Sequence, residues 1–130
     1  MSVKAIAKGV QISPRKVEVV ADLVRNQSVK NALTILEHTP RRSAVAVQSV
    51  IKSAKANAEN NHNYKPDTLT ITEIFVTCGP RMKRFRPAAR GRALPFQKKS
   101  SHIRVVVDGE KRVAKKKAES EATSAKKEAK

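Results

Sequence analysis

Nine cations and no acid occupy residues 79–104: Arg81, Lys83, Arg84, Arg86, Arg90, Arg92, Lys98, Lys99 and Arg104. Arginine outnumbers lysine six to three. Arginine presents a planar fork that holds phosphate in two parallel hydrogen bonds and also stacks on bases, whereas lysine is a mobile point charge. Phe85 and Phe96 lie among these charges. Charge and stacking together suit irregular RNA, with its exposed phosphates and unstacked bases. The apolar residues of the segment follow neither a period of 2 nor one of 3.6. Gly79, Pro80, Pro87, Gly91 and Pro95 disfavour a continuous helix. Like charges this dense repel, so the segment is expected to stay extended or mobile until a polyanion neutralises it. The bland alternative is a solvated charge run. The absence of acids and the strands read on either side favour binding.

Other groups with chemical potential are fewer. Arg15, Lys16, Arg41 and Arg42 fall in the first turns of two expected helices, where cations oppose the helix dipole. Phosphate near a helix N-terminus is one reason to keep them there, and ordinary exposed charge is the other. His38, His62 and His102 show no metal-ligand spacing, and the single cysteine, Cys78, offers neither a disulfide nor a zinc set. Ser100, Ser101 and His102 are adjacent, but a nucleophile–base pair is defined by geometry and needs a positioned acid. No glycine loop of the phosphate-cradling kind occurs. Neither an enzyme nor a cofactor is expected.

These charges belong to a chain of 130 residues with net charge +17 and pI near 10.6, room for one small domain. The excess is uneven: +5 over residues 1–76, +7 over 77–110 and +5 over 111–130. Most of it lies outside the part that can build a core, as in nucleic-acid binders. A basic membrane-surface helix would need an unbroken amphipathic stretch, and proline interrupts this one. With no apolar run of bilayer length, no signal core and no Arg- and Ser-rich leader, the cytoplasm is the expected location and no membrane partner is expected.

The elements that must position the basic segment read as follows. A short strand is expected within residues 2–12. Ser13-Pro14 opens a helix whose face is Val17, Val20, Ala21 and Val24, ending at Asn26-Gln27. Ser28 opens a second, with Val29, Ala32, Leu33 and Leu36 broadened by Ile35, stopping by His38. Thr39-Pro40 signals a third, over about 40–59, with Ala44, Val47, Ile51, Ala54 and Ala58 on one face. Residues 68–78 and 102–108 are strands. In the first, Leu69 and Ile71 share one parity and Ile74 and Val76 the other, which a bulge or strong twist near Glu73 would reconcile. Paired antiparallel, the two strands would hold the basic segment as a twenty-residue connection, its tip about 30 Å from the sheet if each arm runs ten residues. The expected organisation is one α+β domain over 1–110, with an extended β-hairpin at about 79–101. Residues 111–130 read as a basic low-complexity, disordered tail.

Gly79-Pro80, Met82-Lys83-Arg84, Pro87, Ala89, Gly91-Arg92-Ala93, Lys98-Lys99 and Ser101-His102-Ile103 with the valines after it closely resemble the signature of the large-subunit ribosomal protein family numbered twenty-two. Upstream, Ser13-Pro14-Arg15-Lys16-Val17, Ala21-Asp22-Leu23, Ser53-Ala54 and Ala56-Asn57-Ala58-Glu59-Asn60 are similar too. The resemblance spans about residues 4–108. It implies three helices packed on a three-stranded antiparallel sheet, with a long protruding β-hairpin. It also implies binding to large-subunit ribosomal RNA and neighbouring ribosomal proteins, a part in early subunit assembly, and a hairpin tip lining the exit tunnel of the nascent peptide, near where macrolides bind. By that match Arg90, Gly91, Arg92 and Ala93 would belong to the tip, with Lys83, Arg84, Lys98 and Lys99 on the two arms; the expected tip as a whole is Pro87, Ala88, Ala89, Arg90, Gly91, Arg92 and Ala93. The RNA contacts would be Arg15, Lys16, Arg41, Arg42, Arg81, Lys83, Arg84, Arg86, Arg90, Arg92, Lys98, Lys99 and His102. Ala88 stands where members often carry Arg, and Leu94-Pro95 replaces a more polar pair. Two rivals remain from the residues alone: a nucleoid-type DNA binder with a basic β-arm, and a small hydrolase, which would need a pocket of titrating groups.

Overall fold

The computed structural model describes residues 2–112. The expected tail therefore lies, from residue 113 onward, outside the described residues. The element order is β1 (Val3–Val10), α1 (Pro14–Val24), α2 (Val29–His38), α3 (Arg42–His62), β2 (Thr70–Pro87), a single 3-10 turn at Ala89–Gly91, and β3 (Ala93–Asp108). Among the described residues no helix is long and apolar enough to cross a membrane.

Each helix follows its apolar stripe. Val17, Val20, Ala21 and Val24 of α1 are buried, and Pro14 at the first position meets the fixed φ a helix wants there. In α2 the buried residues are Val29, Ala32 and Leu36, and Ser28 caps the helix by accepting from the Asn31 N–H at 3.4 Å. Ile35 does not join that stripe and remains exposed. Helix α3 starts later than the Thr39-Pro40 signal suggests. Thr39 is used to close α2 instead, donating its hydroxyl to the Ile35 carbonyl at 2.7 Å. Pro40 is left in the linker and Arg41 becomes the N-cap. The far end runs on to His62, where Asn63 turns left-handed (φ 52°), a conformation asparagine tolerates.

The sheet order is β1-β3-β2, antiparallel throughout. Alternation sends Val3 and Ala5, Ile71 and Ile74, and Ile103, Val105 and Val107 to the face that the helices cover. The register shifts between Ile71 and Glu73, so the bulge that the parity change requires is present. Val47, Ile51, Ala54 and Ala58 of α3 complete the core. Truncating a fully buried residue such as Ile51 to Ala would cost about 2–5 kcal/mol. The last described residues are tied to this body: Lys111 bridges to Tyr64, and the Arg112 N–H donates to the Asn63 carbonyl at 2.7 Å.

β1 pairs with β3 only as far as Val10–Ser101. Beyond that point β2 and β3 continue alone as a two-stranded ribbon, re-registered between Cys78 and Arg81 and then paired from Arg81–Lys99 to Pro87–Ala93. Only residues 88–92 are left as the tip. The expected long hairpin is thus present, each of its arms adding seven paired residues rather than ten, roughly 20 Å of reach. The prolines are accommodated because both strands of a ribbon are edge strands, and Pro80 falls in the bulge.

Candidate nucleic-acid interface

Directly opposed residues in an antiparallel pair share a face. One face of the ribbon thus carries Arg81 with Lys99, Lys83 with Gln97, Phe85 with Pro95 and Pro87 with Ala93. The other carries Met82 with Lys98, Arg84 with Phe96 and Arg86 with Leu94. Cations and one phenylalanine are present on each side. Phe85 is 70% exposed, Met82 and Leu94 are likewise exposed, and the ribbon contributes nothing to the core. On the second face the guanidinium of Arg86 lies over the Phe96 ring, 4.9 Å from its centroid. Arg84 donates to the Lys83 carbonyl at 2.8 Å. Arg81 and Lys99, opposed across the strands, repel.

At the tip the Ala88 N–H donates to the Arg92 carbonyl at 2.8 Å, closing a loop in which Arg90 (φ 58°) and Gly91 (φ 68°) are both left-handed. Glycine adopts that conformation freely; arginine does so at a cost of about 1–2 kcal/mol. The result displays the Arg90 and Arg92 side chains in solvent.

The ribbon base is joined to the helical layer by two adjoining grooves. One is lined by Gln11, Ile12, Ser13, Lys16, Arg41, Arg42 and Ser43. The other continues over Gly9, Gln11, Ser13 and Arg42 to Pro80, Met82, Gln97, Lys98, Lys99 and Ser100 on the ribbon. The fold therefore brings Arg42 into one groove with Lys98 and Lys99, far apart in sequence, with Lys16 and Arg41 in the adjoining groove. Neither the Ser13 nor the Arg41 side chain caps its helix, and the first turns of α1 and α3 hold no acid. Free N–H groups and cations thus meet in one place, an arrangement suited to phosphate. Arg15 is exposed but lies outside the groove wall.

His102 Nδ1 accepts the Gly9 N–H at 2.9 Å. That bond assigns the proton of the neutral ring to Nε2, so His102 presents a donor to the outside. Ser100 gives its hydroxyl to the Pro80 carbonyl, and Ser101, on the opposite face, is buried. The Ser-Ser-His adjacency therefore makes no nucleophile–base pair. Among the described residues no three His, Cys, Asp or Glu side chains gather as a metal site. The groove was not visible in the sequence beyond its cations: Gln11, Gln97 and Ser43 carry no pattern of their own. Phe75, exposed on the open sheet face, was read only as part of a strand.

The family model for ribosomal protein L22p/L17e matches residues 5–108. A large ribosomal subunit protein uL22 of Clostridium acetobutylicum is 50% identical over 107 residues, covering 82% of this chain and 96% of the relative. That of Oceanobacillus iheyensis is 50% identical over 111 residues, covering 85% and 98%.

Proposed function

The chain belongs to the ribosomal protein L22p/L17e family, whose role is structural and not catalytic, and from that premise we propose that it binds large-subunit ribosomal RNA through the ribbon and the groove at its base. The observation that carries this reading is the presence of cations and an aromatic ring on both faces of a ribbon that, among the described residues, contributes nothing to the core. A ribbon charged on one side would lie on a surface; one charged on both sides is suited to being surrounded. Arg81, Lys83, Arg84, Arg86, Lys98 and Lys99 take phosphates along the arms. Phe85 and Phe96 receive bases. Lys16, Arg41, Arg42 and the His102 donor hold a second stretch of backbone at the base, with Arg15 at its margin. RNA neutralises the Arg81–Lys99 repulsion, so binding and ordering of the ribbon support each other.

In this proposal the globular body docks on the subunit of the cytoplasmic ribosome beside neighbouring ribosomal proteins, and supports assembly by holding separate RNA segments together. The tip, Pro87 to Ala93, lines the exit tunnel, where Arg90 and Arg92 face the passing nascent peptide. The test is co-sedimentation with large-subunit particles, together with competition between ribosomal RNA and duplex DNA at matched salt. Co-sedimentation and preference for RNA are expected. Preference for duplex DNA would overturn the reading in favour of a nucleoid-type role.

A further inference from the structure

Among the described residues none covers the face of the sheet turned away from the helices, and its chemistry is not that of an ordinary solvated face. Across the middle of it run Ile6, Arg104 and Phe75, directly paired on β1, β3 and β2. Ile6 and Phe75 are each 51% exposed. The next row toward the ribbon holds His102 opposite Thr77, with Lys8 alongside, and these residues together line one shallow depression. No acid lies in either row. The acids of this face lie on the side away from the ribbon: Glu73 is in the next row, with Val106 and Lys4, and Asp108 is one row beyond.

We propose that this open face is a second RNA-contact surface, on which an unpaired base stacks on Phe75 while Arg104, Lys8 and the Nε2–H of His102 hold its flanking phosphates. The inference rests on the RNA-binding reading above and extends it to residues outside the ribbon and groove. Charge complementarity selects the occupant. An aromatic ring at the centre of a sheet, with Arg104 beside it, Lys8 and His102 toward the ribbon, and its one adjacent acid, Glu73, on the side away from the ribbon, matches the stacking-platform chemistry of single-stranded RNA. A protein partner would have to bury Arg104, Lys8 and His102 against acids of its own. The face is also continuous with the ribbon, since His102 and Thr77 lie just below the point where β1 ends. One RNA strand can therefore pass from sheet to arm.

The chain has no tryptophan, so Phe75→Trp introduces a single reporter on an exposed position. With the full-length protein and transcribed large-subunit ribosomal RNA, we expect its fluorescence to be quenched on binding. Phe75→Ala should weaken binding about 5-fold or more, the range of one base–aromatic stack, by the same factor at every salt concentration because stacking is not ionic. Arg104→Gln should instead flatten the salt dependence by about one counterion. Phe75→Ala binding like wild type, while Lys83→Gln with Arg84→Gln binds worse, would overturn this inference and leave the ribbon reading intact. Quenching by purified large-subunit proteins but not by RNA would likewise overturn it, identifying a protein interface. Loss of all RNA binding in the wild-type chain would sink both.

Discussion

Ser100 donates its hydroxyl to the Pro80 carbonyl across the two strands at 2.7 Å, at the point where the three-stranded sheet becomes a two-stranded ribbon. The neighbouring Gly79 leaves no room for a side chain: a Cβ there would lie 2.5 Å from the Ser100 Oγ and 3.1 Å from its backbone carbon. Gly79→Ala is expected to lower stability by about 1 kcal/mol, the low end for overpacking, or roughly 4–8 °C in Tm. Adding Ser100→Gly should recover part of the loss, because it removes the nearest atom but not the backbone. Thermal unfolding of the three variants checks this.

The Arg86–Phe96 stack contributes about 0.5–1 kcal/mol in so exposed a setting. If it pre-forms the ribbon face that meets RNA, Arg86→Lys and Phe96→Leu should each weaken binding about 2- to 5-fold. The double variant should lose little more than either alone, since both remove one interaction. Additive losses in filter binding at fixed salt would show that the two residues act separately.

Phosphate contacts can be counted through salt. Each of Lys83→Gln, Arg84→Gln, Arg41→Gln and Arg42→Gln should reduce the slope of log K against log salt by about 0.7–0.9. Lys52→Gln, ten residues along α3 from Arg42 and outside both grooves, should leave the slope unchanged. An unaltered slope for Arg41→Gln and Arg42→Gln would confine the footprint to the ribbon.

Most of the fold was legible because its signals are local. The stripes of α1 and α2 and the alternation of the two long strands are written within single elements. The bulge near Glu73 was legible too, since a one-residue slip exchanges every side chain's face. The failures come from competition between signals. Thr39 carries a start signal for α3 and a closing bond for α2, and the tertiary structure uses the second. The long hairpin at about 79–101 was expected, and what the prolines obscured was only where its paired arms end, because a ribbon has two free edges where a sheet centre has none. The groove joining Arg42 to Lys98 and the row Ile6–Arg104–Phe75 each combine residues from distant elements, and spacing along the chain cannot show that.

One titration is set by a surface ion pair. Lys30 hydrogen-bonds Asp67 and holds its carboxyl below the ordinary value of 3.8. A depressed folded-state pKa means that the pair's stabilisation is fully present above 3.8 and is lost as pH falls through the lower folded value. Lys30→Met should remove this acid dependence and bring the Asp67 carboxyl back toward 3.8, as followed by NMR of its side chain. Both partners are exposed, so the effect on global unfolding should be small and should shrink in high salt.

The division between body and ribbon allows a decisive excision. Arg81 and Lys99 are directly paired, so residues 82–98 can be replaced by Asn-Gly, a two-residue turn whose twist suits a hairpin. Every residue of the core lies outside the excised stretch. The shortened protein should therefore keep its helix content and unfold in one cooperative transition close to that of the full chain. It loses the Arg86–Phe96 stack but also the close packing of like charges, two small effects of opposite sign. Its affinity for large-subunit RNA should fall by orders of magnitude, since six of the arm and tip cations that neutralise phosphate — Lys83, Arg84, Arg86, Arg90, Arg92 and Lys98 — leave together. A molten body without a cooperative transition would mean that the ribbon stabilises the fold and is not merely carried by it. A folded body with unchanged affinity would place RNA binding in the groove and the open sheet face.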